Sequence, residues 1–206
     1  MFDNGKITKY SYTILKEKVS PVDTEIYWSD ALNVDGDLDW CIIHDNNFTC
    51  SIETQLRAFY FKIFHKAICT NKFLHRIGRI DSPLCHFCDK ADETLIHLFC
   101  DCDKITPLWD HLFDYIENKT GESFQFSKFQ QIFGVVIEES EHKNAINFLF
   151  LCLKFYIHRC KFQKIAPNFQ AYKNFVKIKF DTENKIAETK GKLSKHFKKF
   201  SFDLSF

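Results

Sequence analysis

The run CHFCDKADETLIHLFCDC, residues 85–102, sets Cys85 and Cys88 two residues apart and follows them with His97, Cys100 and Cys102. Three thiolates and one imidazole make the tetrahedral donor set that zinc prefers. Both sulfurs of a C-x2-C pair can reach one ion, because a tight turn between them reverses the chain and directs both side chains inward. A redox pair would need an exposed thiol of low pKa or a neighbouring βαβ unit, whereas this pair leads into a segment of helical spacing. The fourth donor stays open on geometry. On a regular helix Cys100, three residues after His97, lies about 60° round from it, and Cys102, five residues after, about 140°. Regular geometry favours Cys100. Cys102 can ligate only where the helix ends or unwinds near Cys100, and spacings of about three to five residues between late ligands suit zinc either way. Four protein ligands leave no open position for water, so the zinc would be structural and not catalytic. His86, inside the pair, is expected to point to solvent, and the remaining histidines to be surface or satisfied core residues.

The elements that hold these residues read as helices. Asp92 can cap a helix opened by Glu93, whose charge suits the N-terminal dipole, with His97 about one turn in and Leu95, Leu98 and Phe99 left for the core. Phe87 would pack against that helix. Upstream, Leu56, Phe59, Tyr60, Ile63, Phe64, Ala67 and Ile68 recur at three and four, predicting one helix from Thr54 to about Lys72 with Arg57, Lys62 and Lys66 off the apolar stripe. Before it, Asp23 caps a short helix carrying Ile26, Tyr27 and Leu32, and NVDGDLD around Gly36 reads as a turn. Downstream, Thr106-Pro107 opens a helix striped with Leu108, Trp109, Leu112, Phe113 and Ile116 and closed at Gly121. Ser127 caps a short helix with Phe129, Ile132 and Phe133. Glu141 starts a longer one through Ile146, Leu149, Leu153 and Tyr156 that is apolar nearly all round and therefore buried. Pro167-Asn168 breaks the chain before an amphipathic helix with Phe169, Tyr172, Phe175, Val176 and Phe180. No alternating run demands a sheet. The expected fold is mainly α, a helical domain over 23–190 containing a small CCHC zinc knuckle at 85–102, with a weakly structured lead at 1–22 and a basic, Phe-containing tail at 191–206 that orders on binding.

Composition agrees with a folded chain. With 206 residues, 45% of them hydrophobic and 24 of them Phe, a real core can form. Nine cysteines, an odd number, in a chain without a secretory signal argue for reduced thiols or metal ligands and against a disulfide framework. Cys41, Cys50, Cys69, Cys152 and Cys160 read as small hydrophobes. No stretch is long and apolar enough to cross a membrane, and an intracellular protein of the cytoplasm or nucleus is expected. The formal net charge of +1 hides a segregation: Lys154 to Lys199 holds thirteen Lys/Arg against three Asp/Glu, whereas residues 1–153 hold fifteen against twenty-three. The basic end could track a phosphate backbone or be merely solvated.

The string TNKFLHRIGRIDSPLCHFCDKADETLIHLFCDCDKITPLW resembles the zinc-binding region at the C-terminal end of non-LTR, LINE-1-like retrotransposon reverse transcriptases. The matching positions are Asn71, Lys72, Phe73 and Leu74, then Cys85, Cys88, Glu93, Thr94, His97, Leu98, Phe99, Cys102 and Trp109. The likeness is specific over 70–110 and weaker from about Trp40 to Gln170. It implies the ligand set Cys85, Cys88, His97 and Cys102, with Cys100 a bystander, and a role beside template RNA or target DNA. It also stops short of the polymerase: the [FY]-x-D-D string that holds catalytic metals is absent, and so is the H-x-E of zinc deaminases, with Leu84 separating Pro83 from Cys85.

The expected function is a non-catalytic zinc-binding module that assists RNA or DNA binding. Lys72, Arg76 and Arg79, with His75, would face phosphates, and Lys192, Lys195, Lys198 and Lys199 in the tail would add affinity. The alternative is a zinc-stabilised interaction scaffold, or an orphan fragment, that once packed on a reverse transcriptase core and has no nucleic-acid affinity. No catalytic residue is assigned and no membrane partner is expected.

Overall fold

A computed structural model describes residues 23–34, 38–136, 141–198 and 200. The lead at 1–22, the turn around Gly36 and Lys199 fall outside the described residues, as does the end of the tail. Helices dominate, and no strand occurs among the described residues. Two compact units divide the chain at Asp37 and Leu38. The first contributes helix α1, Asp23–Leu32, with Trp28 buried.

The second unit holds the remaining helices: α2 at Trp40–Cys50, α3 at Thr54–Phe64, α4 at Asn71–Arg76, a π-helical turn at His97–Asp101, and α5 at Thr106–Thr120. They are followed by α6 at Lys128–Phe133, α7 at Lys143–Gln163, α8 at Phe169–Thr189 and α9 at Leu193–Phe197. Helix α7 is the axis of this unit. It packs on α2, α3, α8 and the π turn, and buries residues on all sides, Ile146, Phe148, Leu149, Leu153 and Ile157 among them. The aromatic-rich composition is spent here. Phe59 of α3 meets Phe99 of the π turn and Phe155 of α7, while Trp109 of α5 stands edge-on to Phe150. Such crossed rings exploit the quadrupole as well as area.

Helix ends follow local chemistry. Ser127 and Gln130 form a reciprocal capping box on α6, Asn168 caps α8 through the N–H of Ala171, and Gly121, at φ 72°, closes α5. The expected helix from Thr54 to about Lys72 stops at Phe64. Lys66 turns left-handed at φ 54°, its N–H bonds Ile63 O, and the N–H of Ala67 reaches back to Lys62 O at 2.7 Å. That pair of bonds is a Schellman ending made without glycine. Ala67 is consequently exposed, Ile68 stays buried, and a separate helix, α4, begins at Asn71.

Helix α2 has no counterpart in the periodicity, because WCIIHDNNFTC lacks a one-sided stripe. Asp39 starts it by accepting the N–H groups of Cys41 and Ile42 at 2.9 and 3.2 Å. Asn46 then secures it to the chain after α6, donating to Phe133 O and Val135 O, while Asn147 of α7 accepts the N–H of Val135 and donates to Asn46. Two buried amides thus serve an irregular segment as a sheet neighbour would. Of the tail, residues 192–198 and Phe200 are described: His196 of α9 is buried, and Phe200 packs against Phe148 and Phe180. Cys50, Cys152 and Cys160 are core residues as expected, but Cys41 and Cys69 are exposed.

Candidate metal centre

Residues 83–93 form a tight hairpin. The N–H of Glu93 bonds Pro83 O at 2.8 Å, the N–H of Cys85 bonds Ala91 O at 2.8 Å, and Leu84 and Asp92 form an isolated bridge between them. At the tip, the N–H of Asp89 returns to Cys85 O, with Asp89 itself left-handed at φ 53°. This reversal brings the sulfurs of Cys85 and Cys88 to the same side.

The second half of the site comes from the π turn. Asp92 does not cap it, being engaged in the bridge and paired with Lys72 at 3.1 Å; Thr94 takes that role, its hydroxyl accepting the N–H of His97 at 3.0 Å. The helical stretch that begins at Leu95 then widens. The N–H of Cys102 bonds His97 O at 2.9 Å, a ring of i to i+5 type, so His97 and Cys102 stand one full turn apart on one face. Cys102 is also where the helix stops, at φ −68°, ψ 126°. Both conditions for Cys102 to turn toward His97 are therefore met in one step. The turn is held from behind: Trp109 donates to Phe99 O at 2.6 Å, Thr106 donates to Cys102 O at 3.1 Å, and Lys128 pairs with Asp101 at 2.7 Å.

Together these elements gather Cys85, Cys88, His97 and Cys102, with one donor atom from each lying within 4.8 Å of all the others. The donor set fits a tetrahedral ion. Zinc–sulfur bonds of about 2.3 Å give a sulfur–sulfur edge of about 3.8 Å, and the Sγ atoms of Cys85 and Cys102 are 3.8 Å apart. Cys88 Sγ lies 3.3 Å from His97 Nε2, which leaves that nitrogen as the ligating one. Cys85 and Cys102 are buried, Cys88 and His97 half-buried. Without an ion the thiols differ. Burial raises Cys85 and pushes Cys102 up to about 12. At Cys88 burial also acts upward, but the N–H groups of Lys90 and Ala91 and the His97 ring outweigh it and bring the thiol to about 7. The N–H groups of Lys90 and Ala91 are those expected to steady a metal thiolate at Cys88 as well, whereas His97 Nε2 would ligate instead of donating.

Residues 25–109 match the family described as zinc-binding in reverse transcriptase. All four cluster residues lie within the matched residues, as do α4 and the hairpin. The matched family is a zinc-binding region, not a polymerase catalytic domain. No curated protein matches the chain. Among the described residues no helix is long and apolar enough to cross a membrane.

Cys100 is on the other side of the π turn, buried toward the core, where desolvation pushes its thiol up to about 12 against the opposing charge of Lys154. His86 is half-buried against the Phe87 ring, outside the cluster. Of the basic residues expected to face nucleic acid, Lys72 is committed to Asp92, Arg76 is exposed with its guanidinium 5.3 Å from the Phe73 ring, and Arg79 is exposed in the following turn. Lys192 and Lys198 are exposed at the ends of α9, which packs on α8. Lys195 lies within α9.

Periodicity gave no warning of Glu93 and Lys161. Glu93 was expected as a first-turn dipole partner; it is fully buried and ion-paired with Lys161 of α7. A signal was present nonetheless. Lys154 and Lys161 fall in the apolar stretch of α7 and its C-terminal end seven residues apart, hence on one face. Each is used: Lys154 donates to Gln131 O at 2.7 Å and to Ile132 O at the end of α6, and burial lowers its ammonium to about 7.

Proposed function

We propose that the chain is a non-catalytic module in which one zinc ion, held by Cys85, Cys88, His97 and Cys102, locks the hairpin to the π turn so that the adjoining basic surface can meet nucleic acid. The convergence of four donor atoms of the right chemistry within 4.8 Å carries the reading. When bound, zinc supplies a closed cross-link between the hairpin and the π turn, and no Lewis-acid position. Three thiolates against a dication leave the site at about −1, so phosphate would be met by neighbouring cations and not by the metal. Arg76 and Arg79 support this role, because both are exposed and neither is engaged by an acidic side chain among the described residues. Lys72 contributes less, being neutralised by Asp92. The lysines of α9, and Lys199 beyond it, would add sequence-independent affinity.

The test is binding of a single-stranded RNA across a salt series. Wild type should bind with a salt-dependent constant, and the double variant Arg76→Ala/Arg79→Ala should bind more weakly, with a log–log salt slope shallower by about 1.4 for two lost contacts. Unchanged affinity and slope in that variant would remove this surface from the function. A second reading, an interaction scaffold for a reverse transcriptase core or another protein, is favoured by Phe73, Ile77 and Leu84, which expose 38%, 49% and 37% of their surface next to the cluster. Tight zinc together with no RNA or DNA affinity at low salt would select it.

A further inference from the structure

Glu93 touches three separate parts of the fold. Its Oε2 accepts the N–H of His86, inside the C-x2-C turn, at 3.0 Å. Its Oε1 accepts the N–H of Asn71, the first residue of α4, at 2.8 Å, and ion-pairs with Lys161 of α7. Lys161 Nζ in turn donates to Cys69 O at 2.8 Å, just ahead of α4. One fully buried carboxylate thus joins the cysteine turn, the start of the basic helix and the central helix.

We infer that Glu93 is a positioning residue that couples occupancy of the metal cluster to the order of α4. The reasoning runs from sterics and charge. The His86 amide adjoins Cys85, so opening of the cysteine turn draws that N–H away from Oε2. A buried carboxylate that loses a donor while its lysine remains buried is costly, and the carboxylate readjusts with the turn, loosening its hold on Asn71. Helix α4 has six residues, far below the length at which a helix holds by itself. Its first turn is held by the Thr70 cap, by Asn71 Nδ2 donating to Leu84 O at 2.7 Å, by the N–H of Lys72 on Glu93 O at 3.4 Å, and by the Glu93 charge, which satisfies an otherwise orphan N–H and complements the dipole. Arg76, one turn on, is presented only when that first turn is formed.

The inference rests on the cluster holding zinc, and its test reads backbone order rather than RNA binding. Amide hydrogen exchange is followed on the full chain, zinc-loaded and EDTA-treated, with zinc content measured on the same samples. In wild type, chelation should speed exchange over 71–79 by about tenfold or more while 146–157 in α7 stays protected. In Glu93→Gln, zinc should remain at one per chain, but 71–79 should exchange fast even when loaded and respond to EDTA by less than about threefold. Should that variant fail to fold, Glu93→Gln/Lys161→Met removes both buried charges together, a replacement that cores tolerate, and the same loss of response is expected. Zinc-loaded wild type whose 71–79 ignores EDTA would overturn the coupling alone, as would a variant that responds like wild type or loss of protection throughout α7. Wild type without zinc would overturn both the coupling and the reading of the cluster beneath it.

Discussion

His158, on α7, is packed between the rings of Phe59 and Phe162 at 5.0 and 4.7 Å, and desolvation, with Lys161 and Lys62 nearby, brings its pKa down to about 4. The unfolded chain takes up a proton there near pH 6.5 whereas the fold does not. His158 therefore contributes stability that is complete above about pH 6.5 and is lost as the pH falls toward about 4. His158→Phe keeps the ring contacts and removes the titration, so the decrease in urea midpoint from about pH 7.5 to about pH 5 should be smaller in the variant; equal decreases would contradict the assignment. At this same scale the residues of the cluster were largely legible and their neighbours were not. Cys85, Cys88 and His97 announce themselves by type and spacing. The choice between Cys100 and Cys102 does not, because spacing was read against a regular helix and the turn is π-helical from His97 to Asp101. Family likeness pointed to Cys102, and the i to i+5 bond supplies the physical reason. Glu93 was visible as an acid beside the site, but its burial depends on Lys161, 68 residues away, which no local pattern contains.

At the scale of elements, the chain following α6 is the most demanding geometry. Gly134 sits at φ 88°, ψ 174°, and a Cβ placed there would lie 2.6 Å from Asn147 Oδ1 and 2.8 Å from Asn46 Nδ2. Both atoms already serve the backbone of Phe133 and Val135. Gly134→Ala should therefore strain the backbone and displace a buried amide pair, at a cost on the order of 2–4 kcal/mol, read as a lower urea midpoint with an unchanged m-value. A shift below about 0.5 kcal/mol would show that the segment relaxes freely. Helices α5, α6 and α8 could be read from the chain because an apolar stripe and a start signal at Pro107, Ser127 or Asn168 agree with burial, and α7 because its long apolar run is buried on all sides. Helix α2 could not, since Asn46 rather than an apolar stripe secures it, and α3 was overextended because its last apolar residues, Ala67 and Ile68, keep helical spacing after Lys66 has already turned left-handed. Nothing in the lysine-rich tail announced α9, whose His196 is buried and which packs on α8.

The second unit places its most extensively buried helix, α7, at its centre and sets the cysteine–histidine cluster at the junction of hairpin, π turn and α7. Fold class was accessible from periodicity because nearly every element is a helix with its own start and stop signals. What periodicity could not supply was the linkage among them, made by Glu93–Lys161, Lys154 at the end of α6 and the Asn46–Asn147 pair, all of them contacts between residues far apart in sequence. Zinc at such a junction would make the cluster a structural cross-link, and the proposal that Cys85, Cys88, His97 and Cys102 hold a zinc ion can be tested directly. Metal content by native mass spectrometry on wild type, Cys100→Ser and Cys102→Ser should give one zinc per chain in wild type and in Cys100→Ser, and loss of zinc in Cys102→Ser. Zinc lost only in Cys100→Ser, or a wild type that binds none, would contradict the account.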